Sequence, residues 1–376
     1  MKFVLIASHA ASVINFRSNM INSLQNKSLE VHVIIPRLSN ADNEIIKEKI
    51  RALGASVLEV HMNRTSLNPI LDFVTLINLV IVLWKIKPEY ILAYTIKPVI
   101  YGIIAAKIIG IKHRFALITG LGSVFNGGKG TKNNFLLLIV KYLYKASLLN
   151  ASKVFFQNPD DMNLFHKYQI TNLSQSCVVN GSGVDINYYN FSAPPKRISF
   201  LLLARLLNSK GVRIYFEAAK IIKSTHPHVE FSLAGEIDTL NVDSISRYEL
   251  DAWVESRVIK YYGQLEDVRF AIASCSVYVL PTFYREGTPR SILEALSIGR
   301  AIITTNTPGC RETVVQGMNG YLIESKSVSE LVETMMKFIS KPNIVMRMGI
   351  ESRNIAEKKY DVRKVNDFML RNMGIE

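Results

Sequence analysis

Short apolar runs alternate with helical stretches along the 376 residues, and the alternation stops once and begins again. In the first half Phe3–Ala7, Val31–Ile35, Val57–Val60, Tyr90–Ala93, Phe115–Ile118 and Val154–Phe156 read as strands. Helices are expected near Ser12–Asn26, Asp42–Leu53 and Val99–Ile109, and after Asn158-Pro159-Asp160-Asp161. That quartet starts a helix well, with Asn as cap, Pro in the first position and acids in the first turn. Ser192-Ala193-Pro194-Pro195-Lys196-Arg197 reads as a linker. The pattern then restarts with strands at Ser199–Leu203, Glu230–Ala234, Val258–Tyr261, Val277–Leu280 and Ala301–Thr305. Helices are expected near Gly211–Lys223, Asp267–Ala273, Arg290–Ile298 and Ser327–Ile339. Apolar strands separated by helix-length connections imply parallel sheets covered on both faces. The expected architecture is α/β, with two nucleotide-fold domains facing a cleft. They span 1–190 and 198–355, and 356–376 forms a helix that crosses back to the first domain. Two domains are also the default for a chain of this length.

Composition narrows the class. An apolar content of 48% is ample for packed cores. Cys177, Cys275 and Cys310 are widely spaced, so they form neither a disulfide framework nor a metal spacing, which suits a reducing cytosol. Met1-Lys2 leads straight into a strand-like run, and no signal peptide is expected. Ile70–Trp84 and Val99–Ile111 are strongly apolar but fall short of the roughly 20 residues a span needs, so both are expected to be buried helices. The net charge of +14 is uneven: residues 1–190 carry 20 Lys and Arg against 10 Asp and Glu. Such basicity attracts nucleic acid or anionic lipid. No stacking aromatics alternate with the basic residues, which argues against nucleic acid. Phe135–Lys145 sets Lys141 and Lys145 on one face of an apolar helix. It reads either as an interfacial helix on an anionic membrane surface or as a core helix with two solvated lysines.

Ligands of open parallel sheets bind beyond the carboxyl ends of the strands. Glu286 follows the strand Val277–Leu280 in a Gly/Pro loop, and Glu294 lies eight residues on, about a turn and a half into a helix. A helix start favours anions, so the space between the two acids suits a diphosphate with a hydroxyl-rich group on either side. Arg205 ends the strand Phe200–Ala204, and Lys210 comes five residues later. Two cations there can clamp a diphosphate and stabilise the charge on a leaving nucleoside diphosphate. Singly, such residues are ordinary surface charges; together they weigh towards a site. His9 follows the first strand and is read as a group facing the acceptor or a β-phosphate, or as a plain polar loop residue. Arg17 and Lys97 are candidates for an acceptor diphosphate. Gly122–Gly130 fails the P-loop spacing and has no Ser or Thr after Lys129, so it reads as a lid or a membrane-facing loop.

Ala204-Arg205-Leu206-Leu207-Asn208-Ser209-Lys210-Gly211 and Glu286-Gly287-Thr288-Pro289 with Glu294-Ala295 resemble the donor-binding motifs of family 4 retaining glycosyltransferases of GT-B fold. Asn180-Gly181-Ser182-Gly183-Val184-Asp185, Gly263 and Gly299-Arg300-Ala301-Ile302-Ile303 extend the resemblance. It implies a nucleotide-sugar donor, with UDP as the expected nucleotide. Glu286 would contact the donor sugar, Glu294 the ribose, and Arg205 and Lys210 the diphosphate. Gly287, Thr288, Pro289, Ser291 and Ile292 would complete the donor site with their backbone. Catalytic roles fall to Glu286, Arg205, Lys210 and His9, without a metal or other cofactor. Ser8-His9-Ala10-Ala11-Ser12 with Phe16-Arg17, Arg64–Pro69 and Arg114–Ser123 resemble bacterial transferases that act on undecaprenyl-diphosphate sugars in surface-glycan assembly. That implies a polyprenyl-diphosphate-sugar acceptor at His9, Arg17 and Lys97, and a cytoplasmic enzyme peripheral to the inner face of the plasma membrane. The usual glycine-rich first loop is replaced here by His9-Ala10-Ala11-Ser12. A GT-B sugar-nucleotide epimerase and a non-catalytic basic lipid-surface module are the alternatives.

Overall fold

The computed structural model describes residues 1–37, 41–63, 68–122, 125, 131–239 and 241–376. Arg64–Leu67 and most of Gly122–Gly130 therefore lie outside the described residues. The chain forms two compact units: Met1–Ser182 together with Arg363–Glu376, and Gly183–Val362.

The first unit is built on a seven-stranded parallel sheet, ordered β3-β2-β1-β4-β5-β6-β7. Its strands are β1 (Lys2–Ile6), β2 (Glu30–Pro36), β3 (Ser56–Val60), β4 (Tyr90–Tyr94), β5 (His113–Ile118), β6 (Lys153–Phe156) and β7 (Ser176–Val178). Phe3 lies beside Val31 on one side and Tyr90 on the other, so the order reverses between β1 and β4. Helices α1 (Ala10–Asn26), α2 (Ala41–Ala52), α3 (Pro69–Ile86), α4 (Ile103–Ile109), α5 (Thr131–Leu148) and α6 (Pro159–Lys167) connect the strands. A single π-helical turn, Pro98–Gly102, leads into α4. Asn158 caps α6 by accepting from Asp161 N at 2.8 Å. Helix α13 (Val362–Asn372) closes one face of this unit, burying Met369, Leu370 and Met373 with Phe3 and Val33.

The second unit has a six-stranded parallel sheet, ordered β10-β9-β8-β11-β12-β13. Its strands are β8 (Ser199–Leu203), β9 (Glu230–Ala234), β10 (Lys260–Tyr261), β11 (Val277–Leu280), β12 (Ala301–Thr305) and β13 (Gly320–Ile323). Helices α7 (Val212–Thr225), α8 (Arg247–Glu255), α9 (Arg269–Ala273), α10 (Arg290–Ile298), α11 (Val328–Ser340) and α12 (Asn343–Ile355) flank it. Again the order reverses, here between β8 and β11, and such a reversal opens a crevice at the strand ends.

Four expectations are corrected. The units divide at Ser182 rather than 190, because Val184 and Tyr189 are already buried in the second unit's core. The proline-rich stretch belongs to that unit as well, and Ser192 N donates to Ile298 O. The chain returns to the first unit at Arg363 rather than 356, since Ala356 and Tyr360 are still buried with Val184. Finally, α3 is not a buried helix. Its Thr75, Leu79, Leu83 and Ile86 face the core, while Ile70, Phe73, Ile77, Ile81 and Trp84 are exposed.

Candidate active site

Two loops of the second unit carry the polar groups singled out in the sequence, and they are fastened to each other. The first follows β8 and makes a 3₁₀ turn over Asn208–Lys210. Asp243 accepts from Ser209 N at 2.9 Å. The second loop follows β11, the sheet neighbour of β8. Phe283 N and Tyr284 N both donate to Ser209 O, at 2.9 and 3.2 Å, and Thr282 Oγ1 does so at 3.0 Å. Gly211, at φ +80°, permits this approach, because a Cβ there would lie 2.2 Å from Pro281 O. The backbone thus sets Lys210 against Glu286. Lys210 Nζ donates to Oε1 and Oε2, each at 2.7 Å, with side chains only 14% and 19% exposed. A third loop, after β12, presses on the same place. A Cβ on Gly309, at φ +84°, would sit 2.1 Å from Gly287 O.

Gly287, Thr288 and Pro289 are buried, and Pro289 precedes the first turn of α10. Ser291 is half-buried and Ile292 fully buried. The nine-residue helix aligns its dipole with the loop that bears Glu286, an arrangement favourable to anions. Glu294, one turn in, is 8% exposed. Its Oε1 accepts from Tyr189 OH at 2.8 Å and from Arg290 Nε at 2.9 Å. Burial raises the Glu294 carboxyl above its ordinary value, and Arg290 and Tyr189 oppose the rise. Burial likewise raises the Tyr189 hydroxyl, and Glu294 adds to that rise.

Arg205 stands at the carboxyl end of β8, where Nη1 donates to Asp238 Oδ2 at 2.9 Å. The arginine side chain is 46% exposed, so this pair costs little to break. Beside it, a cavity of about 740 Å³ lies beyond the ends of β9 and β10, lined among others by Glu236, Ser246, Tyr261 and Gln264. Its size suits a small ligand. Tyr189, Asp238 and Arg290 join the site through contacts that sequence reasoning does not mark. Tyr189 is 105 positions from its partner, and nothing in the local sequence marks it.

The first unit places the other candidates near the reversal between β1 and β4. His9 is exposed at the N-cap position of α1, and its carbonyl accepts from Ser12 Oγ at 2.6 Å. Ser12 Oγ also meets Tyr94 OH at 2.9 Å, and Thr95 Oγ1 donates to Ser8 Oγ at 2.7 Å. Thr95 adopts φ +69°, an uncommon conformation for a β-branched residue. Arg17 is 2% exposed, with its guanidinium 5.1 Å from the Tyr94 ring centroid. Lys97 is ion-paired with Asp72, which also accepts from Tyr101 OH at 2.9 Å.

Known proteins resemble both units of the chain. The family described as Glycosyl transferases group 1 matches residues 190–355, and Glycosyl transferase 4-like matches residues 4–158. The N,N'-diacetylbacillosaminyl-diphospho-undecaprenol alpha-1,3-N-acetylgalactosaminyltransferase of Campylobacter jejuni is 30% identical over 342 residues, covering 87% of this chain and 86% of that one. The UDP-Gal:alpha-D-GlcNAc-diphosphoundecaprenol alpha-1,3-galactosyltransferase of Escherichia coli is 24% identical, covering 91% and 88%. Among solved structures, Anabaena HepE in complex with UDP superposes with a TM-score of 0.79 at 18% identity, covering 100% of both chains. Sucrose-phosphate synthase from Thermosynechococcus elongatus also reaches 0.79, at 14% identity and coverage of 99% and 98%. None of these matches favours the epimerase or the non-catalytic reading. The chain belongs to the group 1, family 4-like glycosyltransferases and has their GT-B fold.

Proposed function

We propose that this glycosyltransferase moves a hexose or N-acetylhexosamine, with retention of configuration, from a UDP-sugar to a polyprenyl-diphosphate-linked sugar in bacterial surface-glycan assembly. The two relatives above support the acceptor class, since the names of both specify a diphospho-undecaprenol sugar. The observation that carries the donor side is the contact between Lys210 and Glu286 beside the start of α10. A cation, a carboxylate and a helix start there match a diphosphate joined to a sugar.

In this reading the donor diphosphate displaces Glu286 from Lys210 and bridges Lys210, Arg205 and the first turn of α10. Glu286 then holds sugar hydroxyls, and Glu294, steadied by Tyr189 and Arg290, accepts from the ribose. The bond from C1 to the diphosphate oxygen breaks with oxocarbenium character. The acceptor hydroxyl attacks C1 on the same face, and its proton passes to the departing phosphate oxygen. Charge that grows on the leaving group is stabilised by the two cations and the helix, and no metal ion is needed for that role. His9 and Lys97, with Arg17 supporting the loop, serve the acceptor. The enzyme would work on the cytoplasmic face of the membrane that carries its acceptor.

The test is a panel of UDP- and GDP-sugars with a polyprenyl-diphosphate-sugar acceptor, with and without EDTA, read by mass spectrometry and by the anomeric NMR coupling of the product. An α-linked product from an α-donor, made equally in EDTA, is expected. An inverted product, or activity restricted to metal-supplemented reactions, overturns the mechanism. Absence of turnover and of UDP binding overturns the function.

A further inference from the structure

We propose that the first unit docks on an anionic lipid bilayer through the outer faces of α3, α4 and α5, with α3 lying in the plane of the interface. This gives the membrane location proposed above a specific surface.

Helix α3 carries the main observation. Ile70, Phe73, Ile77, Ile81 and Trp84 are 72, 61, 42, 46 and 61% exposed. Their spacing of three, four, four and three residues draws one straight line along the helix. Thr75, Leu79, Leu83 and Ile86 occupy the opposite side and are buried; the three apolar ones belong to the core of the first unit. The helix is therefore held on its sheet along one edge and presents large apolar side chains along the other. Helix α5 repeats the arrangement. Val140, Tyr144 and Leu148 are buried, while Phe135, Leu138, Ile139 and Tyr142 are 67, 62, 41 and 73% exposed. Helix α4 packs against both and adds Ile108, 61% exposed.

Charge decides the occupant. From Pro69 to Leu149 the sequence holds ten Lys and Arg but only two acids, Asp72 and Glu89. Asp72 is engaged by Lys97 and Tyr101, and Glu89 by Lys2 N. Lys85, Lys87, Lys107, Lys112 and Lys145 are exposed around the apolar residues. A two-fold contact between copies would set this basic rim against itself. Anionic headgroups neutralise it, while the acyl boundary takes up the apolar line. With 18 residues α3 is long and apolar enough to cross a membrane. Its buried edge is part of the sheet's core, so lying flat satisfies both sides.

The test uses the full chain with vesicles of phosphatidylcholine alone and of phosphatidylcholine mixed with phosphatidylglycerol. Flotation with the mixed vesicles is expected, together with a blue shift of Trp84 emission and its quenching by brominated lipid. Trp253, the other tryptophan, is buried and should not respond. The triple variant Ile77→Ser, Ile81→Ser, Trp84→Ser should lower the bound fraction about tenfold or more. Should that variant misfold by circular dichroism, Lys85→Glu with Lys145→Glu decides, and it should abolish the preference for phosphatidylglycerol. Transfer to a short-chain, water-soluble acceptor without vesicles should be unchanged in both, which separates failure of docking from failure of the transferase reading. Undiminished vesicle binding by the folded variants, an unshifted Trp84 emission, or a dimer by light scattering that loses its interface in the triple variant would each overturn the proposal.

Discussion

Lys210 Nζ meets both carboxylate oxygens of Glu286 at 2.7 Å, and one loop-to-loop clasp through Ser209 O sets that distance. The cation and the acid thus neutralise each other. In the proposed function, donor binding exchanges this ion pair for contacts to diphosphate and sugar, so each partner would tune how costly the exchange is.

Lys210→Ala should weaken UDP binding by about 1.5–3 kcal/mol, on the order of 10- to 150-fold in Kd, because a charge-assisted contact is lost. Glu286→Gln removes the negative charge that neutralises Lys210 and should leave UDP affinity equal or better, while kcat for the sugar donor falls. Calorimetry with UDP beside steady-state kinetics checks the pair. Weaker UDP binding by Glu286→Gln would contradict the exchange.

Glu294→Gln separates stability from ligand binding. The carboxyl is raised by burial, so the folded chain holds this proton more tightly than the unfolded one. The stability linked to it is fully present below the ordinary value of 4.5 and is lost as pH rises through the folded value. The glutamine still accepts from Tyr189 and Arg290 and carries no charge. Its Tm should therefore match the parent at low pH and equal or exceed it at pH 7, while UDP affinity drops. A variant markedly less stable than the parent at pH 7 would mean that the ion pair with Arg290 outweighs desolvation.

Tyr189→Phe removes one donor from a carboxylate that is otherwise held by Arg290. A stability loss of about 1 kcal/mol is expected, with a raised KM for the nucleotide-sugar and a nearly unchanged kcat. Thermal melts and kinetics read the two effects separately, and an altered kcat with constant KM would count against a positioning role for the hydroxyl.

Gly309→Ala places a methyl against Gly287 O at a backbone angle that suits glycine. The strain alone is about 1–2 kcal/mol, and the added methyl presses directly on the Glu286–Gly287 backbone. A lower Tm together with weaker donor binding is expected. A normal KM would show that the β12 loop does not brace that segment.

The alternation of elements is legible in the sequence because strands buried on both faces read as unbroken apolar runs. Val277–Leu280 and Ala301–Thr305 fall on their observed ranges for this reason. β7 escaped because its three residues are only half-buried and it starts with serine; β13 escaped because it opens on a glycine. The exposure of α3 was illegible for the opposite reason. Its sequence is apolar on every side, so periodicity carries no clue to which edge meets the sheet. At the candidate site, topology places Arg205, Lys210 and Glu286 beyond strand ends and Glu294 in the helix that follows. Their actual partners, Asp238 and Tyr189, depend on contacts 33 and 105 residues apart, for which short-range spacing carries no information.

Arg363–Glu376 supplies Met369, Leu370, Met373 and Ile375 to the interior of the first unit. A ribosome must therefore make the whole of Gly183–Val362 before the earlier half can seal its own interior. Until then, Leu24, Val33 and their neighbours await cover, and a nascent chain at that stage is a natural client for a chaperone.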